Sequence, residues 1–130
     1  MHIASCRCGN LRAECTGEPV RVSVCHCIAC QRRTGSAFSA QARFAADSVR
    51  IKGTFSTFTR VADSGNTLAY QFCPDCGSTV AYRIDAWPDV IAVPLGAFES
   101  GAFPPPAYSI YERRKHPWVT IAADGAERHA

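Results

Sequence analysis

Cys25-His26-Cys27-Ile28-Ala29-Cys30 packs three thiols into six residues, directly after the alternating Val20-Arg21-Val22-Ser23-Val24. Two further pairs flank it in the chain, Cys6-Arg7-Cys8 and Cys73-Pro74-Asp75-Cys76. A disulfide across a single intervening residue would be strained, whereas such spacings suit several sulfurs converging on one metal ion. Zinc takes four sulfur or nitrogen ligands in a structural site and keeps one position open in a catalytic site. Joining Cys6 and Cys8 to Cys73 and Cys76 gives four sulfurs. Cys25, Cys27 and Cys30 are then left as a three-sulfur site with room for water or substrate. Joining the triplet to either outer pair would instead give five sulfurs and strand the other pair.

The turn Cys73-Pro74-Asp75-Cys76-Gly77 is a strong half-site, because Pro74 stiffens it and Gly77 permits a tight backbone beyond Cys76. Its closure with Cys6 and Cys8 ties a long loop, where a cross-link is most stabilising. A three-sulfur zinc can activate a bound thiol as its thiolate or polarise a carbonyl. The alternative is a second structural site completed by Cys15 or His26. His26 lies between two ligands, so its ring either projects away from the metal or contacts substrate as a proton carrier. Arg32 and Arg33 either hold a substrate carboxylate in a bidentate fork or face solvent as neighbours of thiolate charge. Arg113-Arg114-Lys115-His116 reads as a solvated run.

The chain has 130 residues, enough for one domain with a single core. Its hydrophobic fraction of 47% and charged fraction of 19% are those of a soluble globular protein rather than a disordered one. No apolar stretch precedes Cys6, so no secretory signal is expected, and Val90 to Phe98 is too short to span a bilayer. A cytoplasmic location follows, and in that reducing compartment clustered cysteines point to metal or catalysis before disulfides. The formal charge of +3 falls to zero once seven thiolates and two divalent ions are counted. A nucleic-acid partner is therefore not expected on charge grounds.

Short alternating segments dominate the rest. Gly9 to Val24 reads as two strands around the turn Thr16-Gly17-Glu18-Pro19, with Cys15 on an apolar face as a buried core residue. After the triplet, Gln31 to Gly35 fits one or two helical turns ended by glycine. Phe38 to Phe44, Val49 to Lys52, Phe55 to Val61, Thr67 to Phe72, Thr79 to Ile84 and Val90 to Val93 read as strands. Phe38, Phe55, Phe58, Phe72 and Trp87 are expected in the core or on a pocket wall. Many short strands with frequent turns predict a mainly β domain spanning 1–130.

The order and approximate spacing of the three cysteine clusters resemble the glutathione-dependent formaldehyde-activating enzyme family, which includes centromere protein V. Gly35 through Phe38 and Trp118-Val119 add to the likeness. The resemblance implies a β-tent fold with two zinc ions, a structural one on Cys6, Cys8, Cys73 and Cys76 and a catalytic one on Cys25, Cys27 and Cys30. It also implies carbon–sulfur lyase chemistry, the condensation of formaldehyde with glutathione to S-(hydroxymethyl)glutathione. Gln31 stands where family members often carry an arginine. The competing function is a zinc-stabilised binding module for protein or nucleic acid, with both metals structural.

Overall fold

The computed structural model of the chain describes residues 1–99 and 103–130. Among these the protein is mainly β, with one short α-helix and three single turns of 3-10 helix. Strands β1 (His2–Ser5), β2 (Arg12–Cys15) and β5 (Val49–Lys52) form a three-stranded antiparallel sheet in the order β1-β2-β5. The larger sheet contains β3 (Arg21–Cys25), β4 (Ser39–Ala45), β6 (Ser56–Val61), β7 (Thr67–Phe72), β8 (Thr79–Ile84) and β9 (Val90–Pro94). Two short strands complete it, β10 (Tyr108–Ile110) and β11 (Glu127–Arg128), giving the order β11-β10-β3-β4-β9-β8-β7-β6. Helix α1 (Ile28–Thr34) follows β3 after the two-residue step His26-Cys27.

Alternation explains which faces are buried, since successive strand residues point to opposite sides. Ala4, Leu11, Ala13 and Cys15 from the small sheet pack against Val22, Phe44, Val80, Ile91 and Val93 of the large one. Ala92, between Ile91 and Val93 on β9, and Tyr82, which follows Ala81 of the first cluster on β8, belong to a separate cluster with Tyr70 and Leu68. The first cluster makes the core between sheets. The second lies beneath α1, because the Arg33 guanidinium sits 5.4 Å from the Tyr70 ring centre and 5.0 Å from that of Tyr82.

Gly9 to Val24 holds two strands around its turn, as expected, and the two lie in different sheets: β2 pairs with β1 and β5, while β3 pairs with β4 and β10. The turn at Gly17 carries the chain from one sheet to the other. One expectation needs correction: of the five aromatics expected in core or pocket wall, Phe55 is exposed, at 41%, whereas Phe58 and Phe72 line a cavity described below. Trp87 instead stacks under Arg21, 4.8 Å from its ring centre. Cys15 is fully buried in the core, and desolvation pushes its thiol up to about 11.

Candidate metal centres and the cavity beside them

Cys6, Cys8, Cys73 and Cys76 converge, their sulfurs all lying within 4.8 Å of one another. Two matching hairpin-like knuckles bring them there. In the first, the Cys6 N–H donates to the Leu11 carbonyl at 2.8 Å; in the second, the Cys73 N–H donates to the Ser78 carbonyl at 3.0 Å. Each knuckle turns through a glycine in the left-handed region, Gly9 at φ 85° and Gly77 at φ 79°, where an L side chain would be strained. The knuckles also touch, since the Arg7 N–H donates to the Ser78 hydroxyl at 3.3 Å.

The donor set fits a metal. A tetrahedral Zn–S site has sulfur–sulfur edges of about 3.8 Å, and the Cys6–Cys8 and Cys8–Cys73 separations are both 3.6 Å. All eight cysteines are free thiols. Amide N–H groups already point at the sulfurs, as the Leu11 N–H does at Cys6 Sγ over 3.2 Å, which stabilises thiolate charge. Hydrogen bonds at Ser78 hold the Cys76 thiol down at about 5.

Cys25, Cys27 and Cys30 form the second cluster, also within 4.8 Å of one another. Cys25 ends β3 opposite Ser39 of β4. Cys27 is the N-cap of α1, its Sγ accepting from the Cys30 N–H at 3.3 Å. Cys30 lies one turn into the helix, so the strand end and first helical turn together fix all three sulfurs. Bonds with Cys25 and Cys27, then with Ser39, and the charge of Arg33 hold the Cys30 thiol down at about 2. Its partner Cys25 is pushed up by its bonds with Cys27 and Cys30 and by burial. The Arg33 charge thus stands beside whatever thiolate the triplet carries. No other cluster of metal-ligating type is present among the described residues.

His26 does not join this cluster of mutually close donors. Its ring is fully buried against Phe38, with Nε2 bonded to Ser109 Oγ at 3.0 Å. The Ser109 hydroxyl donates to Glu112 at 2.6 Å, and Arg128 reaches the same carboxylate at 3.0 Å. Because Ser109 spends its proton on Glu112, its oxygen must accept from His26, so Nε2 carries the hydrogen. Desolvation lowers the ring's pKa, which favours the neutral form. Gln31 holds the same loop from outside, its side-chain amide donating to the His26 carbonyl at 2.8 Å while its oxygen meets His116 at 2.9 Å.

A cavity of about 430 Å³ opens on the Ala29 side of α1, within the size range of small-molecule sites. Arg32 and Arg33 line it from α1, Phe58 and Arg60 from β6, and Tyr70 and Phe72 from β7, with Gly77 and Thr79 at the four-thiol end. Arg60 lies against the Tyr70 hydroxyl and feels the Cys27 and Cys30 charges. It is the residue sequence reasoning missed: alternation along β6 puts Phe58 and Arg60 on one face, but nothing local says that α1 crosses that face. Arg32 also borders a shallower recess with Ile28, His116 and Trp118.

A mainly β protein with two cysteine clusters able to hold metal ions is the class that this fold and site define. The sequence pattern described as glutathione-dependent formaldehyde-activating enzyme matches residues 1–114. The chain belongs to that family. Among solved structures, a crystal structure of a Rhodobacter sphaeroides protein is similar in fold, with a TM-score of 0.60 and 18% identity. The likeness covers 76% of this chain and 89% of that one. None of the curated proteins matches the chain.

Proposed function

We propose that the protein is a zinc-dependent carbon–sulfur lyase that reversibly adds a small thiol of the glutathione kind to an aldehyde such as formaldehyde. The observation that carries this is the contrast between the clusters: four sulfurs can complete one tetrahedron, whereas three leave a position open at the start of a helix whose Ala29, Arg32 and Arg33 line a cationic cavity. A zinc ion at Cys25, Cys27 and Cys30 would stabilise the substrate thiol as its thiolate and leave it nucleophilic. The chain's own part is to hold Cys25 and Cys27 through the His26–Ser109–Glu112 bonds and to balance thiolate charge with Arg33. Arg32 and Arg60 orient the tail of the thiol. In this proposal His26 buttresses the loop. The four-thiol site takes a second, structural zinc.

We further assign the whole of residues 1–130 to one catalytic domain of β-tent type. It would work in the cytoplasm, where eight free thiols persist. No helix among the described residues is long and apolar enough to cross a membrane.

Exchange NMR of glutathione and formaldehyde with stoichiometric protein tests the reaction. The wild type should accelerate adduct exchange, and Cys27→Ser should not. Equal rates with both would defeat the lyase assignment. Cobalt substitution separates it from a binding module: one spectrum should shift on adding thiol, and two indifferent spectra would make both metals structural.

A further inference from the structure

The family likeness ends at Arg114, and residues 115–130 fold back onto the loop that carries the triplet. His116 meets the Gln31 side-chain oxygen at 2.9 Å. Strand β11 runs parallel to β10, which in turn lies beside β3, the strand that ends in Cys25. The Glu127 and His129 N–H groups donate to the Ala107 and Ser109 carbonyls, both at 2.9 Å, and the Glu112 N–H donates to the His129 carbonyl at 2.8 Å. Between them the Arg128 guanidinium ties two segments together. One nitrogen donates to Glu112 Oε2 at 3.0 Å and the other to the Ile121 carbonyl at 2.9 Å.

This clasp reaches His26. Glu112 Oε2 also accepts from Ser109, whose oxygen is the one hydrogen-bond partner of the His26 ring among the described residues. Nδ1 is buried without a partner. A buried ring held by a single hydrogen bond follows whatever holds that bond. Here the guanidinium fixes the carboxylate, the carboxylate takes the hydroxyl proton, and the serine oxygen is left aimed at Nε2–H. Bonds in such a chain strengthen one another. His26 stands between Cys25 and Cys27, so its ring anchors the backbone that spaces their sulfurs. Arg128 itself is 40% exposed, and an exposed ion pair adds little to overall stability. Its effect is on position.

We propose that Arg128 is a positioning residue for the metal at Cys25, Cys27 and Cys30, and that residues 115–130 set how firmly this open site holds its ion. The inference rests on the triplet being a metal site. It carries the hold on His26 out to a segment beyond the family-matched part of the chain. Groups one step outside a metal's ligands commonly change its affinity about 10–100-fold. Arg128 stands further off and acts through Glu112, Ser109 and His26, so a smaller effect is expected.

Full-length protein loaded with two zinc ions is mixed with the chromophoric chelator 4-(2-pyridylazo)resorcinol, and release is followed by absorbance. The wild type should release one ion quickly, from the triplet, and one slowly. Arg128→Gln should speed the fast phase about fivefold and leave the slow phase unchanged. Arg128→Lys keeps the cation and should recover most of the wild-type rate. Glu112→Gln should speed the same phase, and adding Arg128→Gln to it should change nothing further, because the two act through one bond. An unaltered fast phase, equal acceleration of both phases, additive effects in the double variant, or no recovery in Arg128→Lys would overturn the inference while leaving the metal site standing. Wild-type protein that binds only one ion would remove the triplet's metal assignment and this inference with it.

Discussion

The carbonyl of Asn10, near the end of the first knuckle, stands where a methyl group on Gly53 would have to go. Gly53 has φ 105°, and the obstruction is backbone against backbone, so no rotamer change relieves it. Gly65 has a similar φ of 89° but open space around it. A left-handed alanine costs about 1–2 kcal/mol, which is all that Gly65→Ala should lose. Gly53→Ala should lose more than about 2 kcal/mol, because the clash adds to the dihedral penalty. Urea midpoints of the two variants measure this, and equal losses would show that the knuckle yields freely. Ser109 is the second residue on which much depends, since its one hydroxyl serves both His26 and Glu112. Ser109→Ala strands a fully buried imidazole N–H, a loss of about 1–3 kcal/mol. A urea midpoint equal to wild type would mean that the network is incidental.

Helix α1 has seven residues and no acid in its first turn, so its N-terminus relies on the Cys27 sulfur. Serine is among the best N-cap residues. Cys27→Ser should therefore keep the helix while removing a metal ligand. The expected result is an unchanged far-ultraviolet dichroism spectrum with one bound metal by elemental analysis where the wild type holds two; loss of both ions would contradict it. Gly35 closes the other end at φ 68°, its N–H bonded to the Gln31 carbonyl, as the glycine after the triplet led one to expect. The same local signals recover β4, β7, β8 and β9, whose alternation is set by one buried face against another. They miss β1, only four residues long and mostly half-buried, and the short β10 and β11. They leave open where the turn at Gly17 leads, because a turn between paired strands and a turn between sheets need the same residues. The arginine wall was half legible: Arg32 and Arg33 adjoin the cysteines in sequence, whereas Arg60 joins them only through tertiary crossing.

At the scale of the whole molecule, the four-thiol cluster is a rivet between sheets. Cys6 and Cys8 follow β1 of the small sheet, and Cys73 and Cys76 connect β7 to β8 of the large one. A metal there closes a loop spanning about half of the chain and couples binding to folding. The triplet, by contrast, sits at the end of one strand and lacks a fourth protein ligand. Graded chelation should strip the triplet first with little change in thermal stability. Loss of the second ion should then coincide with unfolding. Simultaneous release of both ions, followed by metal analysis and melting temperature, would refute this order. The rivet also has a history in time. Synthesis exposes Cys6 and Cys8 early, and 65 further positions separate Cys8 from Cys73. Until translation reaches β7, the first pair has no partners and remains open to oxidants and electrophiles, aldehydes included. Scarce zinc and a surge of the very aldehyde this protein would consume therefore converge on one pair of nascent sulfurs, making the newly made chain more vulnerable than the finished one.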